Sequence, residues 1–271
     1  MNFGSNLGCR KNILGVSRAL NNKPIKLFTH PIQMCKSSEC IIIPRSMTPM
    51  LAEETGIHVG DGHLSANRNR YKLYGNIDES EYYRNFIRPL YKKLYGLDIN
   101  IRKRTEDNTI GFEKNSLGLW LFKTSALSLP CGKKGEIGVP SAVMNSGHDA
   151  RKAFIRGLFD TDGNINMQSR YGHERYYPRL SIGSKSQKLC NDVNIMLSDL
   201  GFKPKIYYGG GYFSIVMYGY DNVLKYAAEI GWHNKKHEKK FIEWRNRYPK
   251  IANGRSGVVS GRQCLPATRS A

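Results

Sequence analysis

The sequence predicts an α+β fold: two αββαββα halves in one chain, related by a pseudo-twofold axis. Three observations predict it. Residues 51–62 and 153–163 resemble each other, each a helix-like run that closes on Asp-Gly. The same succession of hydrophobic periods follows each run, two strand-like alternations and then a helical stripe, twice over. The 271 residues, 40% hydrophobic and 11% aromatic, supply a core for two halves and exclude a wholly disordered chain. The boundaries expected are a basic extension over 1–45, halves over 46–146 and 147–248, and a basic tail over 249–271.

Each element has its own reason. Thr48-Pro49 opens the first helix as N-cap and first-turn proline. Ser146, with Asp149 three residues later, opens its counterpart as a capping box. Gly62 and Gly163 fit the left-handed position that stops a helix. Two strands are expected within 63–74. A helix then spans 78–96 on a stripe of Tyr83, Phe86, Ile87, Leu90 and Leu94, kinked at Pro89. Strands near 97–104 and 109–113 and a helix near 116–128 complete the first half. The second repeats the order: strands near 164–168 and 178–184, a helix over 186–201 on Leu189, Val193, Met196, Leu197 and Leu200, strands near 202–208 and 212–218, and a helix over 221–230.

The charge points to a polyanion. Lys and Arg number 42 against 22 Asp and Glu, a net charge of +20. Nucleic acid is the first partner this suggests and an anionic membrane surface the second. No apolar run reaches the roughly 18 residues that span a bilayer. The first 38 residues hold no acid, which also suits an organellar transit peptide, although Pro24 and Pro31 interrupt a long amphipathic helix. The expected location is the prokaryotic cytoplasm, at the nucleoid. Cys9, His30, Cys35 and Cys40 offer a loose zinc set, weighed against free thiols in a poorly ordered leader.

Strand parity separates two faces. After Gly62 the polar side is His63, Ser65 and Asn67, with Leu64 and Ala66 opposite. After Gly163 it is Asn164, Asn166 and Gln168, against Ile165 and Met167. In 97–104, Leu97, Ile99 and Ile101 alternate with Asp98, Asn100, Arg102 and Arg104. The greasy faces suit helices. The polar faces suit a solvated sheet or, since Asn, Gln and Arg read base edges, the major groove of DNA. Arg70, Lys72, Arg179, Ser181, Lys203 and Lys205 complete the candidate contacts.

Asp61 and Asp162 stand out. Each ends a helix, where the dipole already makes an acid unfavourable by about 0.3–1 kcal/mol. The pattern occurs twice, at matching positions, and asks for a cation. Gly56-x-x-x-Gly60 and Gly157-x-x-x-Thr161 are small-residue faces that let the two helices approach. Two carboxylates meeting there make a divalent-metal site. An EF-hand is excluded, because Ile165 and Tyr171 stand where its loop needs Gly and Glu.

Residues 156–163, Arg-Gly-Leu-Phe-Asp-Thr-Asp-Gly, closely resemble the motif of the LAGLIDADG homing endonucleases, in the double-motif, single-chain form. Residues 55–62, Thr-Gly-Ile-His-Val-Gly-Asp-Gly, match it more loosely. The resemblance covers about 46–245. It implies motif helices packed at the pseudo-twofold axis and two antiparallel sheets forming a saddle over double-stranded DNA. It implies Mg²⁺, with Mn²⁺ able to substitute, held by Asp61 and Asp162 beside Gly60 and Thr161, while Asp160 faces away. The activity implied is monomeric, site-specific double-strand cleavage across the minor groove. An RNA-binding maturase acting on its own intron, or a catalytically silent DNA-binding protein, are the alternatives. The chain begins without an intein nucleophile and ends without His-Asn, so a freestanding, intron-encoded type is expected. Aligning the repeats sets Ile77 against Lys185; the family places a basic or polar group there, lining the active site, and Lys185 fits that role.

Overall fold

The computed structural model describes residues 26–27, 33–36, 39–66, 69–169 and 175–248. Asn67, the tail 249–271 and, within the basic extension, residues 1–25, 28–32 and 37–38 fall outside these residues, so Cys9 and His30 do too, as do the side chains of Cys35 and Cys40. Among the described residues no helix is long and apolar enough to cross a membrane.

Two four-stranded antiparallel sheets carry the fold. In one, the strand order is Gly62–Leu64, Arg70–Asn76, Thr109–Asn115, Arg102–Arg104. In the other it is Gly163–Ser169, Arg175–Ser184, Tyr212–Tyr218, Lys205–Gly209. The two orders are the same walk through the sheet, so the repeat in sequence is a repeat in topology. The strand after each motif helix lies at an edge. A hairpin of Gln33–Lys36 with Glu39–Ile42 precedes the first half, and Ile41 and Ile43 enter the core.

The motif helices, Pro49–Asp61 and His148–Asp162, pack against each other with their backbones nearly touching. The small residues permit this. A Cβ on Gly56 would lie 2.2 Å from the Phe154 carbonyl oxygen, and one on Gly157 would lie 2.2 Å from that of Glu53. Thr161 Oγ1 occupies the space left by Gly60.

Several helix ends follow the sequence and several correct it. Thr48 caps the first motif helix, its Oγ1 accepting from Leu51 N–H at 3.2 Å. Ser186 caps the helix Gln187–Asp199 in the same way, at 3.2 Å from Leu189 N. The second motif helix has Gly147 at its N-cap and no side-chain cap; Ser146 turns instead to the Val143 carbonyl. Gly62 and Gly163 are extended, with φ of −72° and −84°, not left-handed. They are glycine because a Cβ would strike the preceding turn, 2.3 Å from His58 Nδ1 and 2.3 Å from Phe159 O respectively.

The helical stretch after Arg70–Asn76 starts at an Asn76–Glu79 capping box rather than at Asp78. It runs through a π turn, Tyr83–Ile87, into Arg88–Tyr95. Pro89 removes one donor and crowds the turn before it, and the widened turn accommodates both effects. Residues 97–101 are not a strand, yet their alternation holds: Leu97 and Ile99 are buried, Asp98 and Asn100 exposed. The fully buried Glu54 of the first motif helix is held by Lys123 Nζ at 2.6 and 2.8 Å and by the Tyr91 and Tyr95 hydroxyls. A helix not expected from the sequence, Lys235–Arg247, closes the second half.

Candidate active site at the motif-helix ends

The close helix packing delivers both carboxylates to one place. Asp162 Oδ2 comes within 3.3 Å of where a Gly60 Cβ would be, one residue from Asp61. Asp61 is half-buried and Asp162 is the more exposed of the two. Loss of surrounding water is the main cause that pushes both above the usual carboxylate range, Asp162 to about 6 and Asp61 to about 7. Asp162 ionises first, and its charge then adds to the rise on Asp61. Glu79 raises both further.

Two lysines oppose this, and the sequence reading missed both. Lys134 comes from the connection between the halves. Its Nζ donates to the carbonyls of His58, Val59 and Gly60 at 3.0, 2.9 and 2.5 Å, the unsatisfied end of the first motif helix. Burial lowers Lys134 to about 8, while Asp162 and Asp61 hold it up. Lys236, from the unanticipated helix, bonds Glu79 and lowers both aspartates. The cation that the paired acids demand is thus partly supplied by the chain itself. Gly60 O, a candidate metal ligand, already accepts from Lys134. Thr161 directs its hydroxyl to Leu158 O at 2.9 Å.

Lys185 is exposed, with Nζ 5.2 Å from the centre of the Tyr212 ring, and is not among the cations that shift either acid. The sheet registers correct its alignment. Gly62 pairs with Leu73 and Gly163 with Ile182, which sets Asn76, not Ile77, in the place of Lys185. The first half therefore keeps a polar residue there, committed to capping through Asp78 N at 2.9 Å.

Asp160 is fully buried and turned from the pair. One oxygen accepts from His233 N–H at 2.9 Å; burial raises its pKa to about 7. With Glu53 and His233 it forms a group whose ligand atoms lie within 4.8 Å. Arg156 already supplies that group's cation, with Nε and Nη2 on Glu53 at 2.9 and 2.6 Å.

The candidate DNA contacts lie on the two sheets. In the first, His63 is exposed, Ser65 half-buried, and Leu64 buried behind them; Ala66 is exposed, because the strand ends at Leu64. Arg70, Lys72 and Arg104 all converge on one carboxylate, Glu113, at 3.4, 3.3 and 3.1 Å. Asn100 and Arg102 are exposed. In the second, Asn164 and Asn166 are exposed and Gln168 half-buried, over a buried Ile165. Asn164 pairs with Ser181 and Asn166 with Arg179 across the strands, on one face. Lys203 and Lys205 are exposed at the far edge, where Tyr207, Tyr208 and Tyr212 add exposed rings.

Residues 149–231 match the family model of the LAGLIDADG-like domain. That segment is a LAGLIDADG-like domain. The solved structure of mesophilic variants of the homing endonuclease I-DmoI is similar at 18% identity and a TM-score of 0.50, over 68% of this chain and 96% of that one. That likeness shows the fold. Among curated proteins of Methanocaldococcus jannaschii, a glutamine–fructose-6-phosphate aminotransferase is 26% identical over 64% of this chain and 14% of its own length. A replication factor C small subunit is 28% identical over 71% and 10%. The chain therefore spans a small part of each relative. The two relatives carry unrelated named activities and match over only a small part of their length, so neither activity is carried over to this chain.

Proposed function

We propose that this protein is a site-specific, divalent-metal-dependent double-strand DNA endonuclease acting as a monomer. The observation that carries the reading is the meeting of Asp61 and Asp162, one from each half, at the closely packed helix ends. The donor set fits Mg²⁺: hard carboxylate oxygens, raised in pKa chiefly by burial, at the negative ends of two helices. Asp61 and Asp162 would hold the ion, which supplies activation of water and stabilisation of the departing 3′ oxygen. Lys134 and Lys236 offset the acids' repulsion and face the same centre with positive charge for a phosphate. The sheet faces orient the duplex through Asn164, Asn166, Arg179 and the Glu113-bound cations. Bending of the duplex centre, which neither sheet touches, adds sequence selectivity through deformability.

The test is incubation with a plasmid library of randomised inserts, with and without Mg²⁺. Linear product confined to a subset of inserts and absent without the ion is the expected result. No linear product, with tight binding to intron RNA instead, would replace the nuclease reading with the maturase one.

A further inference from the structure

We propose that the helix Lys235–Arg247 is a third DNA-binding element, gripping the phosphate backbone beside the second sheet, so that one end of the duplex is held more tightly than the other. This rests on the DNA-cleaving reading above and adds a surface to it.

The helix is amphipathic and firmly seated. His237, Phe241 and Trp244 are buried, and Trp244 stacks on Tyr220 with ring centres 5.9 Å apart. Its start is tied to both halves. Asn234 caps it through Lys236 N at 3.2 Å and donates to Glu79 Oε1 at 2.9 Å and Asp160 O at 3.0 Å. The Asp160 carboxylate holds His233 N–H next to it. This gives the motif acid that turns away from the centre a task, fixing where the helix begins.

The outward side carries the argument. Six basic side chains stand against two acidic ones in Lys235–Arg247. Lys236, Lys240 and Arg247 fall at helical spacing along one side. Lys236 Nζ bonds Glu79, close enough to the paired acids to lower both. Lys240 Nζ donates to Asn164 Oδ1 at 2.9 Å, which places its ammonium on the base-reading strand itself. Beyond it an open cleft between helix and strand is lined by Asn164, Asn166, Lys240, Glu243 and Arg247. A row of cations continuous with the polar sheet face matches a phosphate strand running alongside that face. The strand covered, Gly163–Ser169, is a sheet edge, so the helix also shields its unpaired groups. Shielding an edge does not require a basic outer side. Among the described residues the first half has no counterpart: its helix is followed by the connection bearing Lys134 and the four-residue helix Ser141–Met144.

The experiment compares wild type with the double variant Lys240→Ala, Arg247→Ala on a duplex selected by wild type from a randomised library. Binding is measured across salt concentrations, and backbone contacts by hydroxyl-radical footprinting. The control is Lys92→Ala, Lys93→Ala, two exposed side chains on the helix Arg88–Tyr95 of the first half. The expected result is an unchanged melting temperature, a log–log salt slope shallower by about 1.8 for two lost contacts, and protection lost at one end of the site only. The control should change neither. An unchanged slope and footprint in the double variant would reduce the helix to an edge cover. Wild type that selects no duplex would overturn the DNA reading and this element with it.

Discussion

Replacing Asp61 with Asn should stabilise the protein while ending its activity. Asp61 titrates near 7 in the fold against an ordinary value of 3.8. Three units correspond to about 4 kcal/mol, and solvent relaxation around a half-buried group reduces this to about 2 kcal/mol. The sign follows from linkage. The folded state binds this proton more tightly than the unfolded chain, so stability is highest below the unfolded pKa and falls as pH rises through 7. Asn carries no charge at any pH and escapes that loss. At pH 8, without divalent ions, the variant should melt about 4–8 °C above wild type. At pH 4 the two should nearly coincide. Added Mg²⁺ should raise the wild-type melting temperature and leave the variant unmoved. Differential scanning fluorimetry over this pH range, with and without Mg²⁺, provides the measurement. A variant less stable than wild type at pH 8, or a difference independent of pH, would refute the reasoning.

Three further outcomes are expected. Lys134→Met leaves three helix-end carbonyls without their donor. It should cost about 2–4 kcal/mol in urea unfolding and, because Lys134 lowers both acids, move the pH midpoint of Mg²⁺ stabilisation upward. Glu113→Gln frees Arg70, Lys72 and Arg104 from their shared carboxylate. The salt slope for random duplex should steepen by up to about 1, while preference for a selected duplex falls because the three cations lose their fixed positions. Gly56→Ala places a methyl 2.2 Å from the Phe154 carbonyl, so it should destabilise by about 3 kcal/mol and weaken cleavage by spreading the two acids.

What the sequence disclosed were features written in local periodicity. The motif helices, the Thr48 cap and the in-out alternation at His63-Leu64 and Asn164-Ile165 needed only neighbouring residues. The paired acids were legible because they occur twice. Lys134 was not, since it meets its nearest helix carbonyl 74 positions away in the chain and resembles any solvated lysine there. The helix Lys235–Arg247 did leave a signal: Asn234 as a cap, then His237, Phe241 and Trp244 at helical spacing. Its six cations obscured that stripe. Gly62 and Gly163 show a different limit. A glycine in sequence records that a side chain is excluded, not whether torsion or a neighbouring atom excludes it. The Lys185 alignment failed for a similar reason: register is fixed by strand pairing, and sequence spacing placed it one residue off.

The central claim is that one acid from each half builds a single cation-dependent centre that cuts both strands. Single-turnover cleavage of a library-selected duplex, with each strand labelled, tests it in wild type, Asp61→Asn and Asp162→Asn. Wild type should give linear product only with Mg²⁺. Each variant should still bind the duplex but yield no double-strand break. A wild-type cleavage rate in either variant would contradict the account.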